Sequence, residues 1–270
     1  MTNKIAIVSS GGGMSCSYSS GVMKALVEKY KFTNPDIVVA ASGSSGVLTY
    51  YVSKQYKPMV NIWCDYLTNK KFINPLRFWK IINVDYLIDA VLGNKEKLDE
   101  SVVKHSKTKL FIPAINIKTG EVKYFSNKDN ILEALRASKA MPLAYNKYVK
   151  IKNEKYCDSS ISSSIEMNIL KAIELGAKKV IAIDTRNLNK TLLYNLWLYS
   201  RNSLFKKNYN TSKSKINEFN LPKGIECLFL KYNKNYGTFR NTKEFLKVSI
   251  DKGYKDAVNS KELKNIISSS

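Results

Sequence analysis

Residues 5–26 read IAIVSSGGGMSCSYSSGVMKAL: an apolar run, three consecutive glycines, then an amphipathic segment. Residues 4–9 predict a buried strand, and residues 18–30 a helix with Val22, Leu26 and Tyr30 along one face. The pattern repeats at once. Residues 36–41 (DIVVAA) form a second continuous apolar run, followed by a Ser/Gly turn and a helical stretch through Tyr51 and Tyr56. Continuous rather than alternating apolar strands, each leading into a helix, predict an α/β fold whose mainly parallel central sheet is covered by helices on both faces.

Further along, residues 110–117 and 121–126 read as a hairpin around KTGE, and 130–139 as a short helix. Residues 165–175 predict another helix closed by Gly176, and 178–184 a return to strand. Residues 187–222 are rich in Asn and Lys with one amphipathic piece, which suits a lid, a membrane-facing helix or a packed surface helix. A strand at 225–232 and a helix at 242–258 complete the pattern, and no internal repeat or long linker divides it, so a single domain over residues 1–270 is expected.

The 270 residues carry 44 Lys+Arg against 22 Asp+Glu, a formal charge of +22. Only five of the basic residues are arginine, at 77, 136, 186, 201 and 240. Such an excess attracts polyanions, either an anionic lipid surface or nucleic acid, unless the lysines are simply a solvated surface. No recognised nucleic-acid motif accompanies it. Four cysteines at 16, 64, 157 and 227 have neither framework nor zinc-site spacing, which fits reduced thiols in a cytosol. The strand-like run begins within three residues of Met1 and no apolar window reaches the length of a membrane span. The expectation is a cytoplasmic protein that meets membranes peripherally; export without a cleavable signal stays compatible with it.

A serine on a sharp turn between a buried strand and a helix is the geometry of a nucleophile elbow. The stretch Ser42-Gly43-Ser44-Ser45-Gly46 approaches the G-x-S-x-G pattern with Ser in the first Gly position, electing Ser44; a second frame elects Ser45. The base is either His105, the one histidine in the chain, or a carboxylate acting directly on the serine, for which Asp158 in EKYCDSS is the candidate. Gly11, Gly12 and Gly13 offer bare amides near a helix N-terminus for a developing oxyanion. A dinucleotide loop would instead need a glycine at position 16, which is Cys.

Taken together, these segments resemble the patatin-like phospholipase family, its bacterial-type branch. The family's G-G-G-x-R-G loop resembles SSGGGMSCSYSSGVMKAL, with Gly11, Gly12, Gly13, Tyr18, Gly21, Val22 and Leu26 in matching places; its elbow resembles SGSSGVL; and its paired S-x-a-x-P and Y-x-D-G-G segments resemble ASKAMPLAYNKYVKIKNEKYCDSS. The segments ISSSIEMNILKAIELGAKKVIAIDTR and IDKGYKDA are also similar, so the resemblance covers residues 4–258. It implies an α/β/α sandwich and a Ser-Asp dyad of Ser44 and Asp158 that needs no histidine. It further implies an oxyanion loop at Gly11–Gly13, no metal or other cofactor, and hydrolysis of phospholipid or other lipid acyl esters through an acyl-enzyme. Ser15, Cys16, Ser42 and Ser159 depart from the family pattern. The competing reading is a catalytically degenerate protein on the same scaffold that binds anionic membranes.

Overall fold

A computed structural model describes residues 3–159, 164–186, 219–233 and 239–268; most of the segment read as a lid lies outside the described residues. Among the described residues, eight strands form one sheet: β1 (Lys4–Ser9), β2 (Ile37–Ala40), β3 (Lys109–Asn116), β4 (Val122–Ser126), β5 (Val149–Ile151), β6 (Glu154–Asp158), β7 (Ala177–Asp184) and β8 (Glu226–Lys231). Their order is β5-β6-β3-β2-β1-β7-β8, with β4 paired to β3. The centre is parallel from β3 through β8, whereas β4 and β6 run antiparallel to β3, and β5 antiparallel to β6.

Alternation along β1 shows why the sheet is covered twice. Ile5 and Ile7 enter a core with residues of α1 (Ser17–Glu28) and α2 (Ser42–Val52), while Ala6 and Val8 enter a second core. Successive side chains of a strand point to opposite faces, so a run apolar at every position requires a helix layer on each. Beyond α2 come a one-turn α3 (Pro58–Asn61), α4 (Glu100–His105), α5 (Ile131–Lys139), α6 (Ile165–Glu174), α7 (Lys243–Asn259) and α8 (Lys261–Ser268). The second core is completed by Ile165, Ile169 and Ala172 of α6; α7 contributes Phe245, Leu246 and Ile250 to the first. The layered α/β arrangement expected from the strand pattern is the one observed.

The helix starts follow ordinary capping chemistry. Asn130 accepts from the Glu133 amide, Ser164 from Met167 and Thr242 from Phe245, each satisfying a first-turn donor that has no partner inside the helix. Helix α5 ends at Lys139 because Pro142 follows shortly and the chain leaves the helical region at Ala140, with ψ at 70°. Residues 62–66 and 86–95 are wound with wider i→i+5 turns, which spoils the 3.6-residue periodicity, and no element was expected there.

Helices α1 and α7 cross with almost no gap. A Cβ on Gly21 would lie 1.8 Å from the Ile250 carbonyl oxygen, and one on Gly253 2.1 Å from that of Tyr18. Tyr18 also donates to Asp256 at 2.8 Å, and Tyr30 to the Ala257 carbonyl at 2.9 Å. No described helix is long and apolar enough to cross a membrane.

Candidate active site

The site forms where β1 and β2, neighbours in the sheet, both end. After β2 the chain must turn sharply to start α2, and it does so at Ser42, whose φ is +49°. A side chain in the left-handed region costs of order 1 to 3 kcal/mol, so the surrounding structure must hold it there. Both main-chain polar groups of Ser42 are held from α5. Its N–H donates to Ser138 Oγ at 2.9 Å, and its C=O accepts from Lys139 Nζ at 3.0 Å and from Ser45 Oγ at 2.6 Å. Lys139 Nζ also donates to Ser45 Oγ.

The freed hydroxyl of Ser42 points at a carboxylate: Ser42 Oγ donates to Asp158 Oδ2 at 2.6 Å. Asp158 ends β6. Strand β3 runs on past the end of β2, and there Ala114 pairs with Asp158, whose amide is in turn held by the Ala140 carbonyl at 3.0 Å. Sheet pairing on one side and the end of α5 on the other therefore carry the carboxylate to the elbow. Ser42 is 8% exposed and Asp158 1%, so this short bond sits in a medium of low polarity, which strengthens it.

Ser44 is elsewhere. Its hydroxyl lies 3.1 Å from Ser19 Oγ, which lies 3.1 Å from Ser9 Oγ, and it also hydrogen-bonds Cys16. The structure thus brings Asp158 to Ser42 rather than to the expected Ser44. The reason is geometric: the strained position falls directly where the strand turns into the helix, and Ser44 is already inside α2, fully buried. The alternative frame fares no better, since Ser45 Oγ is committed to the Ser42 carbonyl and Lys139. The Ser44 frame rests on Gly46. A Cβ there would meet only Lys139 at 3.7 Å, an ordinary contact, whereas one on Gly43 would fall 2.7 Å from the Gly13 carbonyl oxygen. The glycine this turn requires follows the strained serine directly, giving Ala40-Ala41-Ser42-Gly43-Ser44 as the elbow.

Gly43 packs the elbow onto the glycine loop. Gly13 has φ +59°, and a Cβ on Gly12 would overlap the Thr185 carbonyl oxygen at 2.2 Å. Gly11, Gly12 and Gly13 therefore pass between the end of β7 and the elbow, and a one-turn 3-10 helix, Gly13–Cys16, leads into α1. Cys16, standing where the family pattern has glycine, is fully buried, and burial raises its thiol pKa despite bonds to Ser44 and Thr185. Such a thiol stays protonated and inert. His105 ends α4, exposed, with Nδ1 2.8 Å from the Ser101 carbonyl of its own helix. Among the described residues, no cluster of His, Cys, Asp or Glu could hold a metal ion.

Lys139 was absent from the sequence reading, where a lysine at a helix end passes for solvated surface. It is buried with its ammonium against the elbow; burial pulls its pKa down to about 7, with the negative charge of Asp158 opposing the fall.

Comparison with known proteins then settles the lineage. The sequence profile described as patatin-like phospholipase matches residues 7–170, a span holding the glycine loop, the elbow and Asp158. The chain belongs to the patatin-like phospholipase family. Protein YjjU of Escherichia coli K12 is 26% identical over 188 residues, covering 67% of this chain and 52% of YjjU, so the chain spans about half the length of that relative. In fold it is similar to the crystal structure of VipD from Legionella pneumophila, with a TM-score of 0.58 at 12% identity over 98% of this chain and 67% of VipD.

Proposed function

We propose that this family member hydrolyses lipid acyl esters with Ser42 as nucleophile and Asp158 as its base. The observation that carries the reading is the 2.6 Å bond between Ser42 Oγ and Asp158 Oδ2, made by a serine in a strained strand-to-helix turn. Family membership supports the ester-hydrolase chemistry and the lipid class of substrate.

In the first step Asp158 accepts the Ser42 hydroxyl proton as Oγ bonds to the ester carbonyl carbon, and the carbonyl electron pair moves onto oxygen. Amides at Gly12, Gly13 and Gly43 are the donors for that oxyanion, since the neighbouring Ser42 and Ser44 amides are already bonded to Ser138 Oγ and the Ala41 carbonyl. Collapse breaks the bond to the leaving alcohol, which takes the proton back from Asp158. Water then attacks the acyl-Ser42 ester, giving its proton to Asp158, and fatty acid departs as Ser42 Oγ is reprotonated. Lys139 and Ser138 touch only the main chain of Ser42 and the Ser45 hydroxyl in this scheme, and act by holding the elbow.

The excess of basic residues suits a substrate presented at an anionic membrane surface. The test is fatty-acid release from mixed anionic phospholipid vesicles by wild type, Ser42→Ala, Asp158→Asn and Ser44→Ala. Release lost in the first two variants and kept in the third is the expected result. Release lost in Ser44→Ala and kept in Ser42→Ala would falsify the assignment. No release from wild type, even with cell extract supplying any activator, would favour the non-catalytic membrane-binding reading.

A further inference from the structure

Between Asp65 and Asp85 the chain carries four basic residues, Lys70, Lys71, Arg77 and Lys80, and no acidic one. In the middle of that stretch three large apolar side chains stand in water: Leu76 is 81% exposed, Phe78 79% and Trp79 55%. Single exposed hydrophobes are ordinary, but three within four residues mark a surface that meets something else.

The turn that presents them is braced. Arg77 Nη2 donates to the carbonyls of Lys70, Lys71 and Phe72 at 3.2, 3.3 and 3.2 Å, and Asn74 Oδ1 accepts from the Leu76 amide at 3.0 Å. Below it, Asn74 N–H donates to the Ile81 carbonyl at 2.9 Å, and Ile73 and Ile82 form an antiparallel bridge. The Phe78 and Trp79 rings meet edge to face with centroids 4.9 Å apart. The aromatic tip is therefore displayed in one conformation, and docking it loses little chain entropy.

The brace also reaches the candidate active site. Ile82 N–H donates to the Ala144 carbonyl at 2.9 Å, in the loop that follows α5, where Leu143 is a further exposed apolar residue. Lys80 and Arg136 share Asp85, and Arg136 lies one turn before Lys139, which grips the elbow.

We propose that the Leu76–Trp79 turn is a wedge that docks the protein onto an anionic lipid bilayer. The apolar tips enter the headgroup–acyl boundary, where tryptophan is favoured, while the exposed Lys70 and Lys71 engage anionic headgroups. Charge chooses the occupant: an apolar tip inside an acid-free basic stretch, on a chain of net charge +22, complements a negatively charged lipid surface and repels a second copy of itself. The proposal rests on the lipid-hydrolase reading for its purpose, though not for its test.

The test compares the full-length wild type with a Phe78→Ser/Trp79→Ser double variant in sedimentation with phosphatidylcholine vesicles, with and without phosphatidylserine. Hydrolysis of a soluble short-chain ester without lipid runs in parallel. Expected is binding by wild type that needs phosphatidylserine and weakens with salt, and binding about 30-fold or more weaker in the variant, with the soluble-ester rate unchanged. Wild-type binding lost in the variant while neither protein hydrolyses any ester would remove the hydrolase reading and leave the wedge standing. Equal vesicle binding by both proteins overturns the wedge. So does a wild type that ignores vesicles and self-associates through this turn, with the variant monomeric.

Discussion

At the end of β1 the chain turns on Gly11–Gly13; at the end of β2, next door in the sheet, it turns on Ser42. The two turns lie in contact, through Gly43 and the Gly13 carbonyl, and both use positive φ, at Gly13 and at Ser42. Yet one has glycine at its critical place and the other a side chain. In the first, space decides: a Cβ on Gly12 would overlap main chain. In the second, a hydroxyl meets a buried carboxylate, and the strain is sustained by Ser138 and Lys139 reaching over from α5. A turn that only has to pass through a narrow place uses glycine, whereas one that holds a side chain at positive φ needs help from outside itself.

That contrast can be broken from either side. Ser42→Gly keeps the turn and removes the hydroxyl: ester hydrolysis should fall about a thousandfold or more while the melting temperature changes little, because the strain glycine relieves offsets the lost bond to buried Asp158. A large fall in thermal stability would mean that the bond to Asp158 outweighs the strain in holding the turn. The mirror change, Gly12→Ala, should cost on the order of 3 kcal/mol in denaturant unfolding, since main chain must shift to admit the methyl. Gly46→Ala, where there is room, should stay within about 1 kcal/mol of wild type.

Lys139 supplies a pH signature. Its folded pKa, about 7, lies below the ordinary lysine value of 10.5, so between those values the unfolded chain holds a proton that the folded one lacks. Stability contributed by this group must therefore rise with pH across that window, by about 1.4 kcal/mol per unit, and be flat below it where both states are charged. The stability difference between wild type and Lys139→Met, followed from pH 6 to 10, should show that rise; a flat difference would mean that the ammonium is solvated. Smallest of all, Ser44→Ala should leave turnover within about threefold of wild type and cost about 1 kcal/mol for the lost bond to Ser19.

How far the sequence could be read depended on which physical signal each part carries. Strands β1, β2 and β7 are continuous apolar runs, and their layering follows from that alone. Asp158, at the end of a strand before small residues, was one of two candidate bases, and only the family resemblance singled it out. The serine it pairs with was not legible, because three serines stand within four residues, the two elbow frames elect only Ser44 and Ser45, and backbone dihedrals are what separate them. Lys139 was hidden by its residue type, since nothing local tells a buried lysine from a solvated one. The wedge has no periodicity to betray it, and the wide-turn helix at 86–95 lost the periodicity a helix normally shows.

The crossing of α1 and α7 bears on how this protein could be divided. The span that marks the family ends at residue 170, but the face of α1 that carries Tyr18 and Gly21 is covered by residues 250–257. A fragment cut to the recognisable span would keep every catalytic candidate and leave the helix behind the glycine loop bare along that side. What evolution makes recognisable and what folds cooperatively are here two different lengths of chain.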